Sequence, residues 1–154
     1  MELFEKLKVS AGIMLLVSIV TRVLQAIIDP AGIFIYYNFL LPEITATNIG
    51  ELIAGAVVGA IAAFFAMIIA YLLIGVSIVI YLILGTLTIL TKDRKTFNIA
   101  GSVVTGISIF LGASALIRSM AFNYISFFLV LHFIIYLIVF VIYIYTYIQI
   151  RKVS

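Results

Sequence analysis

The sequence predicts an all-α, polytopic integral membrane protein: four transmembrane helices in a single bundle, one of them over-long and tilted or kinked. Three observations predict it. Of 154 residues, 66% are hydrophobic and only 10% are charged, against about 25% charged in soluble domains. Mean hydropathy is +1.39. Finally, Leu52–Leu90 runs for 39 residues without an Asp, Glu, Lys, Arg, His, Asn or Gln, whereas about 18 apolar residues already suggest a span.

In chain order, Met1–Ser10 places Leu3, Phe4 and Leu7 on one helical face and Glu2, Glu5, Lys6 and Lys8 largely elsewhere. That pattern suits an interfacial lead-in running into the first span. Its mixed charge argues against a cleavable signal, so the first hydrophobic segment is read as retained. The first span covers Val9–Ile28, and Asp29-Pro30 stops it because proline disfavours helix at the residue before it. Ala31–Leu41 is apolar and aromatic but too short to cross, which reads as a segment at the headgroup level. A polar connection follows, with Asn48 and Glu51 at capping-box spacing.

Leu52–Leu90 is the second span. As a continuous helix it would be about 58 Å long, against a hydrocarbon core of about 30 Å. The charged stretch Thr91–Lys95 precedes the third span, Phe97–Ile117, which is rich in Gly, Ser and Thr. Arg118–Asn123 reads as a polar break before the last span, Tyr124–Ile148.

Charge sorting favours four spans over five. With Leu52–Leu90 as one span, Lys6, Lys8, Lys92, Arg94, Lys95, Arg151 and Lys152 fall on one side and Arg118 alone on the other. By the positive-inside rule both termini are then cytoplasmic, in a multi-pass protein of the cell membrane. A hairpin at Gly75-Val76-Ser77 would sort the charges less well and would place turn backbone in hydrocarbon. The excess length is expected to go into tilt, a kink at Gly75 or Gly85, or an end that protrudes and is covered by another chain.

Three groups of residues carry candidate roles. Gly55, Gly59, Ala62, Ala66 and Ala70 form a small-residue stripe, and Gly101, Thr105, Ser108, Gly112 and Ala115 form another. Small faces let helices approach closely in lipid, so the second and third spans are expected to pack through them, with self-association as the alternative. Ser18, Arg22, Gln25 and Asp29 make a polar intramembrane stripe on the first span. It reads either as a groove for an anionic solute, a proton or a partner segment, or as an Arg22 that snorkels to the headgroups. His132, the one histidine, is expected to hydrogen-bond a neighbouring helix, with Tyr136 on the same face. A haem shared between subunits is the cofactor alternative.

Catalysis has few components here. No cysteine is present, and no nucleophile–base arrangement, phosphate loop or metal-ligand cluster stands out, so neither an enzyme nor a metal site is expected. The scattered basic residues do not form a nucleic-acid surface. The expected function is a structural or accessory subunit of a larger membrane complex, with the lipid bilayer and other membrane subunits or self-association as partners. A small channel or transporter lined by Arg22, Gln25 and Asp29 comes second, and a haem-anchoring subunit using His132 third.

Overall fold

A computed structural model of the chain describes residues 2–30, 49–90, 94–121 and 125–153, with side chains over 3–30, 57–90, 96–121 and 125–150. The aromatic segment Ala31–Leu41, the Asn48–Glu51 cap, Gly55 as a packing residue and the charged side chains of Thr91–Lys95 lie outside what is described. Among the described residues there are four helices: α1 (Glu2–Ile28), α2 (Ile49–Leu90), α3 (Arg94–Ala121) and α4 (Phe127–Val153). Each is long and apolar enough to cross a membrane, over Leu3–Ile28, Val57–Leu90, Thr96–Ala121 and Phe127–Ile150.

Their limits depart from the sequence reading in specific places. The lead-in is not a separate element, since α1 is helical from Glu2. The break expected over Arg118–Asn123 does not begin at Arg118: α3 is helical to Ala121 and carries Arg118 in its last turn. A cation there complements the negative end of the helix dipole. At the start of α4, Ser126 acts as the N-cap: its hydroxyl accepts from Leu129 N–H at 3.4 Å, as short polar side chains do before an apolar run. The 42 residues of α2 form one helix and no hairpin.

The bundle is built around α1 and α4. Helix α1 packs between α2 and α4, α3 packs chiefly on α4, and the α2–α3 pairing is the lightest of the neighbouring pairs. This corrects the expected packing of the second span on the third. The close approach on α2 is made by Gly85 against Gly12 of α1. A Cβ on Gly12 would lie 2.9 Å from the Gly85 carbonyl oxygen, and one on Gly85 would lie 3.1 Å from that of Gly12. On α3, Gly101 lies under the Tyr143 ring and Gly112 beside Phe133, so its small face receives aromatic rings of α4. The two stripes do meet at one level, where Ala70 and Ile74 of α2 pack with Ala115 of α3 and Leu129 of α4. The larger core joins Ala11, Leu15, Tyr81, Leu84, Ile135, Tyr136, Val139 and Tyr143.

The register of these contacts shows where the length of α2 goes. Tyr71 donates to the carbonyl of Ala26, close to the end of α1. Tyr81 meets Ser108 on α3, and Thr88 meets Tyr143 on α4. The end of α1, the end of α3 and the start of α4 are therefore level with about Ile68–Leu72. The roughly twenty residues of α2 before that level, about 30 Å of helix, run past all three. Val57, Val58, Ile61, Phe64 and Phe65 there are each more than half exposed. At the opposite end, Phe4, Glu5, Lys8, Asn98, Thr146 and Ile150 line one recess, which brings together the starts of α1 and α3 and the end of α4.

Candidate functional site

All four residues of the α1 polar stripe face inward. Ser18 and Gln25 are completely buried, Arg22 is 2% exposed and Asp29 7%. This overturns the snorkelling alternative. Arg22 lies on the side of α1 that packs against α4, so its guanidinium enters the bundle and does not reach along the surface. There its Nε donates to the Tyr136 hydroxyl at 3.4 Å, and its Cζ stands 5.8 Å from the centre of the same ring. The face of an aromatic ring attracts a desolvated cation.

The stripe belongs to a longer polar axis contributed by all four helices. At one end the Ser126 hydroxyl donates to the Asp29 carboxylate, tying the end of α1 to the start of α4. About two turns deeper, Thr21 Oγ1 and His132 Nε2 are 2.8 Å apart. His132 is parallel to Tyr136, with ring centres 6.1 Å apart, and Tyr136 stacks on Tyr81 at 5.2 Å. Tyr81 in turn hydrogen-bonds Ser108. Further on, the Thr88 and Tyr143 hydroxyls are 2.8 Å apart, and buried Asn98 and Thr146 lie towards the far end.

Most hydroxyls on this axis are also satisfied within their own helix. Ser18 donates to the Leu15 carbonyl at 2.6 Å, Thr105 to Gly101 at 2.6 Å, Ser108 to Val104 at 2.8 Å and Thr146 to Ile142 at 2.8 Å. Helical back-bonding of this kind lets Ser and Thr sit in an apolar bundle without unmet donors. The side-chain bonds between helices then act as ties in a medium where apolar association drives nothing. Thr105 is buried, and its hydroxyl is bonded within α3.

The haem reading fails on the position of His132. A haem bridged between subunits needs an imidazole at the protein surface, and this ring is 2% exposed with Nε2 already engaged by Thr21. Among the described residues, no group of three or more His, Cys, Asp or Glu is placed to hold a metal ion.

Sequence reasoning missed Thr21, Tyr81, Thr88 and Ser126 as parts of the axis. Tyr81 and Thr88 stand seven residues apart in an otherwise aliphatic stretch, two helical turns on one face. Ser126 precedes an apolar run, the usual N-cap signature. Both signals were present. In comparisons with protein-family models, curated proteins and solved structures, the chain matches none of them.

Proposed function

We propose that the protein is a non-catalytic structural or accessory subunit of a larger membrane assembly, and that it docks through the first half of α2. One observation carries this reading: α2 runs about 30 Å past the other three helices with large apolar side chains exposed. The 24-residue apolar stretch of α4 is already about 36 Å long, enough for a hydrocarbon core of about 30 Å. A helix whose one charged residue is Glu51, continuing beyond that slab, faces headgroups and water, where exposed Val, Ile and Phe favour cover by another chain.

The bundle end that holds Lys6, Lys8 and the end of α4 is proposed to be cytoplasmic, following the excess of basic residues there. The decisive experiment is extraction from the native membrane in mild detergent, affinity capture and mass measurement of the intact particle. Stable co-purification with other membrane chains is expected. A lone monomer retaining all its cellular activity overturns the proposal.

A second reading, a small channel or transporter, is favoured by the burial of Arg22 and Gln25 on the bundle axis. Intramembrane ionisable residues facing a bundle interior often mark solute pathways. Solute or proton flux in liposomes, abolished by Arg22→Ala, would select it over docking. Absence of flux in the wild-type protein removes it.

A further inference from the structure

Gln25 is completely buried, and neither its amide oxygen nor its amide nitrogen has a hydrogen-bond partner in the protein. Buried side-chain polar atoms are as a rule hydrogen-bonded, and an exception calls for an explanation. Its backbone does not supply one. The Gln25 carbonyl is taken by the Asp29 amide at 2.8 Å, as expected of the helix end.

His132 presents the same problem nearby. The Thr21 hydroxyl lies 3.0 Å from the Ser18 carbonyl and 2.8 Å from His132 Nε2, so Thr21 and Ser18 account for one ring nitrogen only. The other, Nδ1, is buried without a hydrogen-bond partner. Gln25 sits between two ties that link α1 to α4, with Asp29–Ser126 on one side and Thr21–His132 on the other. The ties hold the helices together at both levels, and the Gln25 amide between them has no hydrogen-bond partner.

We propose that this stretch of the α1–α4 interface is an internal hydration site. It takes water, with the Gln25 amide as both donor and acceptor and His132 Nδ1 as a further partner. Internal waters typically make about three hydrogen bonds to buried polar groups, and these two side chains offer donor and acceptor capacity together. Water held there extends the hydrogen-bonded axis from Asp29 at the bundle end to His132 in its interior. The proposal is independent of docking by α2.

The single histidine makes the test specific. The full chain, labelled with ¹⁵N-histidine and ¹³C-valine, is reconstituted in bilayers, and polarisation transfer from water is followed by solid-state NMR. His132 is expected to receive water polarisation several-fold faster than the valine signal of buried Val139. Equal rates for the two overturn the proposal. Gln25→Leu removes both amide groups and is expected to slow the transfer to His132 several-fold. Gln25→Met serves the same purpose if the leucine variant does not fold. Unchanged transfer to His132 in the folded variant overturns the role of Gln25.

Discussion

The two halves of α2 have much the same apolar composition and very different surroundings. The second half, from about Ala70 to Leu90, is held on three sides: Gly85 by Gly12 of α1, Tyr81 by Ser108 of α3 and Tyr136 of α4, and Thr88 by Tyr143. The first half exposes Val57, Val58, Ile61, Phe64 and Phe65. In lipid, hydrophobicity alone cannot distinguish these halves, because a lipid tail is as apolar as a leucine. The difference comes from small residues that let backbones approach and from hydroxyls that reach across. Substitutions in the second half should therefore act on bundle stability, and those in the first half on association.

The largest effect is expected at the α1–α2 crossing. In Gly12→Val even the first added carbon meets Ile89 Cγ1 at 2.5 Å and the Gly85 carbonyl at 2.9 Å. Backbone cannot move aside as a flexible side-chain tip can, so the helices must separate. A loss of about 3 kcal/mol or failure to fold is expected, read by denaturant titration in mixed micelles. Gly75, on α2 like Gly85, has nothing within 4 Å of where a Cβ would stand. Gly75→Ala should be neutral or gain up to about 1 kcal/mol from helix propensity. Equal losses at Gly12 and Gly75 would show that the crossing does not hold α1 to α2.

Next comes the contact of α3 with α4. A Cβ on Gly101 would enter the Tyr143 ring, whereas one on Gly112 would stand 3.4 Å from Phe133, ordinary contact distance. Gly101→Ala is expected to cost about 1–3 kcal/mol because the Tyr143 ring is pinned by Thr88. Gly112→Ala should cost much less. Removing the pin itself is a smaller change: Tyr143→Phe keeps the ring and loses the bond to Thr88, for a loss of about 0.6 kcal/mol, the average for such bonds in membranes.

These contrasts show what the sequence made legible. The four helices, the continuity of Leu52–Leu90 and the polar stripe at Ser18, Arg22, Gln25 and Asp29 all follow from hydropathy and 3.6-residue spacing, which are properties of single segments. Partner choice is a property of pairs. Both the α2 and α3 stripes offer small faces, but Gly101 and Gly112 lie against rings, and the residue that brings α2 onto α1 is Gly85, outside the stripe. The direction of Arg22 was likewise undetermined by its own helix, since snorkelling and burial need the same residue at the same depth. What decided it was Tyr136, on a helix more than a hundred residues later.

The smallest expected effect on the bundle is the most informative about α2's first half. Phe64 and Phe65 are 65% and 58% exposed, and their rings meet each other edge to face with centres 6.0 Å apart. Their level lies beyond the ends of the other helices. Phe64→Ser together with Phe65→Ser should therefore shift the unfolding midpoint by no more than a surface change does, about 0.5 kcal/mol. The same double variant should lose co-purifying chains, because aromatic side chains are the usual anchors of a buried interface. Unaltered stability with lost partners would separate the two halves of α2 by function. Lost stability with retained partners would instead make the exposed rings part of the bundle's own fold, leaving the docking surface to be sought elsewhere on the molecule.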